Sequence, residues 1–165
     1  MVAYNTIAYT TILLRLNMSC SCKYRLNDSV GFWLNRVFFA IKKKFQKKIS
    51  KYEIAPEQFG TLMIIGENSQ CTQTELSNLL SKDKTTITRL LDSLERKRLI
   101  LKVRDKNDKR AFKLELTSEA KELLREVIPI AKGINDEIKD RVSKEDLEAF
   151  FRVLETILIY SKGDN

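Results

Sequence analysis

The feature that most constrains this chain is a change of hydrophobic period within residues 72–117. Up to residue 97 the apolar side chains recur at helical steps of three and four, and from Ile100 to Leu116 they alternate. Thr72 and Glu75 have the spacing of a capping box, and Leu76, Leu79 and Leu80 give the helix they open a core face. Ser81-Lys82-Asp83 makes a turn, and Asp83 is placed to cap a second helix over 83–97. There Ile87, Leu90, Leu91 and Leu94 point inward, leaving Lys84, Thr85, Thr86, Thr88, Arg89 and Asp92 outside. Two short helices joined by a tight turn are a helix-turn-helix. Ile100–Arg104 and Ala111–Leu116, separated by the charged stretch Asp105–Arg110, predict a hairpin. A helix-turn-helix followed at once by a basic hairpin is the winged-helix arrangement.

Long amphipathic segments flank this unit. Val30, Leu34, Val37, Phe38, Ile41, Phe45 and Ile49 predict one helix over 29–51, with Trp33 and Phe39 adding apolar surface off that stripe. Pro56 opens a shorter helix with Phe59, Leu62, Met63 and Ile65 on its buried side, broken by Gly66-Glu-Asn-Ser. After the hairpin, Thr117 caps a helix carrying Leu123, Leu124, Val127, Ile130, Ala131, Ile134 and Ile138, in which Pro129 and Gly133 should kink or weaken the run. Ser143 and Asp146 start a last helix with Leu147, Phe150, Phe151, Leu154, Ile157 and Leu158 apolar. The fold class is therefore mainly α with a small β-hairpin wing. Its organisation reads as an N-terminal arm at 1–25, a dimerisation helix at 26–52, a winged helix-turn-helix at 53–117 and C-terminal dimerisation helices at 118–165. A second copy of the chain is the simplest cover for so much apolar helix surface, which makes a homodimer the expectation.

Charge is distributed to match. The chain has 30 basic and 22 acidic residues, but residues 82–110 alone hold eleven basic and five acidic ones, whereas 117–165 hold eight and eleven. The positive charge is densest on the helix-turn-helix and hairpin, as phosphate binding requires. The Lys42–Lys48 run, by contrast, reads as a solvated face. Three cysteines (Cys20, Cys22, Cys71) without a spaced framework argue against a disulfide scaffold and fit the cytoplasm, and with no histidine the common metal and general-base chemistries are missing. No nucleophile–base pair or phosphate-cradling glycine loop is visible, so an enzyme is not expected, and neither a metal nor a cofactor is called for. Residues 1–17 are apolar with Arg15 as their one charge, a poor fit to a signal peptide or a membrane span; with Met18 following, they read as an over-extended start or an arm outside the fold.

Small hydroxyls at the start of a helix let its backbone approach a groove closely and can bond base edges or phosphates. Thr85, Thr86 and Thr88, with Lys84 and Arg89, are accordingly the expected major-groove and phosphate contacts on double-stranded DNA. The competing account of each threonine is a helix cap or exposed filler. Lys106 and Lys109 should meet phosphates.

The run TQTELSNLLSKDKTTITRLLDSLERKRLILKVRDKNDKRAFKLELTSEAKELL resembles the multiple-antibiotic-resistance regulator (MarR) family. The family's leucine-rich helix, its serine- and threonine-bearing recognition helix, an exit here written Glu95-Arg-Lys-Arg-Leu-Ile100, a wing Asp105-Lys-Asn-Asp108-Lys-Arg110 and the closing Leu116-Thr117 occur in that order. With the flanking helices the resemblance spans 26–160. It implies a homodimeric repressor on a pseudo-palindromic operator, released by a small aromatic or anionic effector, without membrane attachment. It also implies that Arg110 enters the minor groove, where negative potential favours a guanidinium, with Asp108 as its orienting partner. The rival account has Arg110 pair with Asp108 or Asp105 at the hairpin base. Trp33, Phe38 and Phe59, together with Phe150 and Phe151, are the aromatic residues available to line an effector cavity, against core packing as their plainer role.

Three positions depart from the family pattern. Arg98 stands where a glycine ordinarily follows the recognition helix, Ala120 replaces a frequent glycine, and Ala55 precedes Pro56 where serine or threonine is common. A peroxide-sensing branch carries a cysteine where this chain has Gly31. Two alternatives stay open: a thiol-based redox regulator using Cys20, Cys22 or Cys71, and a winged helix that binds protein rather than DNA.

Overall fold

The computed structural model describes residues 24–68, 71–104 and 112–162. The chain divides after Phe39 into two compact units. Helix α1 (Val30–Ile49) begins in the first and continues into the second. Then follow α2 (Pro56–Glu67), α3 (Gln73–Leu80), α4 (Lys84–Arg96), strands β1 (Ile100–Arg104) and β2 (Phe112–Leu116), α5 (Ser118–Lys139) and α6 (Lys144–Lys162).

In the N-terminal unit a single 3-10 turn at Leu26–Asp28 leads into α1. The Ser29 hydroxyl accepts the Phe32 amide at 3.2 Å, which starts the helix. The Trp33 indole N–H donates to the Asn27 carbonyl at 2.9 Å, and the Arg36 guanidinium lies over the Trp33 ring at 5.2 Å.

The core belongs to the second unit. Ile49, Leu62, Leu76, Ile87, Leu91, Leu94 and Val127 are completely buried, joined by Ile100 and Leu114 from the hairpin. Helices α2 to α5 bury residues on the face that the sequence period marks out, with one correction. Leu79, expected on the core face of α3, is 61% exposed, whereas Leu76 is buried and Leu80 half-buried. In a helix of eight residues the 76 and 80 positions stack one above the other on the core, and 79 falls to the side. Helix α5 runs unbroken from Ser118 to Lys139 through Pro129 and Gly133. Helix α2 ends at Glu67, within the Gly66-Glu-Asn-Ser stretch expected to break it; a β-carbon at Gly66 would meet Leu116 Cδ1 at 3.0 Å, so glycine lets α2 approach β2.

The strands pair antiparallel with Ile100 opposite Leu116 and Lys102 opposite Leu114. The chain just before α3 adds to the outer edge of β2: the Leu114 amide donates to the Cys71 carbonyl at 2.9 Å, and Thr72 bridges to Lys113. The start of α3 is thereby tied to the hairpin stem.

The flanks differ from this core. Among the described residues of α6 none is fully buried, and Phe150, Phe151, Leu158 and Ile159 are exposed. In α1 only Phe45 and Ile49 are buried, while Val30, Val37 and Phe38 are exposed. Among the described residues no helix is long and apolar enough to cross a membrane.

Candidate nucleic-acid interface

The two helices of the helix-turn-helix are fixed at both ends by local chemistry. Thr72 and Glu75 form the full capping box: the Thr72 amide donates to Glu75 Oε2 at 2.8 Å and the Glu75 amide to Thr72 Oγ1 at 3.3 Å. Helix α3 ends on Ser81 in the left-handed region (φ 49°), where the Lys82 amide reaches back to the Ser77 carbonyl at 3.1 Å. Asp83 then caps α4, accepting the Thr86 amide at 2.8 Å. Hydrogen bonds from the Thr86 hydroxyl and amide hold its carboxyl below the usual carboxylate range.

Helix α4 ends on Arg98, which has φ 58°. The Leu99 amide donates to the Leu94 carbonyl at 3.0 Å and the Arg98 amide to the Glu95 carbonyl at 2.8 Å, the two bonds of a Schellman cap. The left-handed cap that a glycine would make is therefore built with an arginine. Ala55, which has no side-chain acceptor to offer, is compensated by Gln58, whose Oε1 accepts the Ala55 amide at 3.0 Å.

The outward face of α4 carries the expected residues. Lys84, Thr85, Thr86, Thr88 and Arg89 are all exposed, while Ile87, Leu91 and Leu94 of the same helix are completely buried. Asp92, expected outside as well, is half-buried and accepts from Lys102 of β1 at 3.2 Å; Glu95 accepts from the same ammonium at 2.8 Å. Hydrogen bonding to Glu95, then to Asp92, raises the Lys102 pKa, so this lysine joins α4 to the hairpin. Two of the threonine hydroxyls have internal partners. Thr86 Oγ1 is 2.7 Å from Asp83 Oδ2, and Thr88 Oγ1 is 2.8 Å from the Lys84 carbonyl.

Two glutamines that carried no sequence signal hold the site together. Gln73, at the first turn of α3, donates from Nε2 to Thr88 Oγ1 at 2.7 Å. Gln58 is almost completely buried; it donates to Ser93 Oγ at 3.0 Å and accepts from Lys97 Nζ at 3.2 Å, linking the start of α2 to the last turns of α4. Lys106, Asp108, Lys109 and Arg110, the expected wing contacts, lie outside the described residues, as do Cys20 and Cys22. Cys71 is completely buried, and that burial, with the charge of Glu75, pushes its thiol pKa up, away from the reactive thiolate. Phe59 packs edge-on against Phe45 at 5.1 Å between ring centroids, while Trp33 and Phe38 belong to the N-terminal unit and are exposed. Among the described residues no group of three or more acidic or cysteine side chains is placed to hold a metal ion.

Residues 54–112, which include both helices of this motif, match the model of the MarR family. The matched segment, about a third of the chain, is similar to that family. In fold, the segment is a winged helix-turn-helix like that of MarR-type regulators. The transcriptional regulator HosA of Escherichia coli is 23% identical over 129 residues, covering 75% of this chain and 96% of that protein. The transcriptional repressor MprA of Escherichia coli is 40% identical over a shorter segment of 63 residues, 38% of this chain and 36% of MprA. Among solved structures, Staphylococcus aureus MepR in complex with DNA superposes with a TM-score of 0.75 at 25% identity, covering 80% of this chain and 98% of MepR.

Proposed function

We propose that this chain acts as a MarR-type regulator, binding a pseudo-palindromic operator in double-stranded DNA as a homodimer and repressing transcription until a small aromatic or anionic effector releases it. The observation that carries the DNA reading is the two-sidedness of α4. Its cationic and hydroxyl residues Lys84, Thr85, Thr86, Thr88 and Arg89 stand exposed on a helix whose other side, Ile87, Leu91 and Leu94, is completely buried. Such a helix enters a major groove as a rigid body. Lys106 and Lys109 add phosphate contacts and Arg110 a minor-groove contact oriented by Asp108. That MepR was solved with DNA and that MprA is named a repressor support the same reading.

The dimer rests on exposed apolar side chains in the flanks, Phe150, Phe151 and Leu158 in α6 and Val37 and Phe38 in α1. The effector reading rests on resemblance.

Binding of a labelled duplex, followed by anisotropy at increasing salt, tests the reading. Affinity should fall by about 10³-fold between about 50 and 200 mM salt, as expected for six or more phosphate contacts. The Arg89→Ala and Arg110→Ala variants should each bind more weakly. Salt-independent binding, or variants that bind as the wild type does, would contradict it.

A further inference from the structure

Thr86 and Thr88 of α4 each carry one hydroxyl proton, and their partners show where it goes. The Lys84 carbonyl can only accept, so Thr88 donates to it at 2.8 Å. Thr88 Oγ1 must then act as the acceptor toward Gln73, 2.7 Å away, which orients the Gln73 carboxamide with its NH₂ toward the threonine. Thr86 Oγ1 faces Asp83 Oδ2 at 2.7 Å, and an ionised carboxylate likewise only accepts. Both protons are directed into the protein.

This limits what the two residues can read. A hydroxyl whose proton is engaged cannot bond a phosphate oxygen, guanine O6 or N7, adenine N7 or thymine O4, all of which are acceptors. What Thr86 and Thr88 retain for a partner is a methyl group each, with remaining oxygen lone pairs. In the major groove an A·T pair offers the complement of both, the C5-methyl of thymine and the N6 amino group of adenine, whereas a G·C pair has no methyl.

We infer that Thr86 and Thr88 read thymine C5-methyl groups by apolar contact and do not act as hydrogen-bond donors, with Gln73 as a positioning residue that holds the Thr88 side chain in its rotamer. This rests on the DNA-binding reading above and names the base chemistry it selects.

The test uses the full chain and a duplex recovered by selection from random sequence, resynthesised with deoxyuridine in place of thymidine so that only methyl groups are lost. The wild type should bind the uracil duplex about four-fold more weakly per contacted methyl. Thr88→Val, which keeps the methyl and loses the hydroxyl, should keep both the affinity and the preference for thymine. Thr88→Ser, which keeps the hydroxyl and loses a methyl, should bind the thymine duplex more weakly and show a smaller thymine-to-uracil ratio. Gln73→Ala should lower that ratio in the threonine protein but not in the Thr88→Val background, where β-branching alone fixes the helical rotamer, and low-salt binding should persist; a general loss of stability would weaken both. Equal wild-type affinity for the two duplexes overturns the inference alone, as does a serine variant that outperforms the valine one. Binding to neither duplex overturns it together with the reading it rests on.

Discussion

The Thr117 hydroxyl donates to the Arg98 carbonyl at 2.8 Å, joining the left-handed residue that ends α4 to the residue that caps α5. Thr117 also accepts the Ala120 amide at 3.1 Å, and its own amide donates to the Leu99 carbonyl at 3.2 Å. One threonine thus starts a helix and braces the end of another across the base of the hairpin. The last turn of the candidate recognition helix is held from outside, which lets a non-glycine residue occupy its cap.

Arg98→Gly should stabilise the protein. A side chain at φ 58° meets the steric cost of the left-handed region, which glycine lacks, and that gain exceeds the extra freedom glycine has in the unfolded chain. The expected increase is about 0.5–1 kcal/mol in urea unfolding at unchanged m-value. Arg98→Ala retains a β-carbon and should bring no such gain; equal effects of the two substitutions would refute the strain account.

Gln58→Leu should cost about 2 kcal/mol, because it leaves the Ala55 amide and Ser93 hydroxyl without the partners they have now. Gln58→Glu keeps an acceptor for both Ala55 and Lys97 and should cost less. A leucine variant as stable as the wild type would show that the strut between α2 and α4 is dispensable.

Glu137 on α5 accepts from Lys44 and from Lys48, the latter at 2.9 Å, and those bonds lower its pKa from 4.5 to about 2. A carboxylate with a depressed folded pKa stabilises the fold fully above its unfolded value near 4.5 and loses that contribution as pH falls toward about 2. The side chains are half-exposed, so salt should reduce the effect. Following the Glu137 carboxyl by NMR should give a midpoint well below 4, moving upward at high salt or in Lys44→Ala. A midpoint at the ordinary glutamate value would contradict the pairing.

Cys71 should be inert. In a Cys20→Ser, Cys22→Ser background the folded protein should resist a thiol reagent that labels the urea-unfolded chain completely, and peroxide should leave DNA affinity unchanged. Labelling of folded and unfolded chains at equal rates would return the thiol-based reading to consideration.

What the sequence made legible was chiefly what neighbouring residues decide among themselves. The caps at Thr72, Asp83, Thr117 and Ser143 are side-chain-to-backbone bonds across three residues, and each is present as expected. The left-handed cap at Arg98 is equally local. Gln58 and Gln73 escaped notice because their partners Ser93 and Thr88 lie 35 and 15 residues away, and a glutamine has no spacing rule that announces such a partner. Asp92 looked like a free outward acid for the same reason, since its partner Lys102 comes from the next element. The sequence does not separate Leu79 from Leu80, because a leucine three residues along and one four residues along fit a short helix face equally well; the neighbouring elements select Leu80.

Selection of bound fragments from random duplex DNA at moderate salt tests the central claim most directly. A dimer presenting two copies of α4 should enrich a pseudo-palindrome whose half-sites are centred about 10 base pairs apart, one turn of the duplex, and Arg89→Ala should weaken that enrichment. Recovery of no preferred sequence, or of one unchanged by substitutions on the outward face of α4, would contradict the assignment of that helix as the reader of DNA.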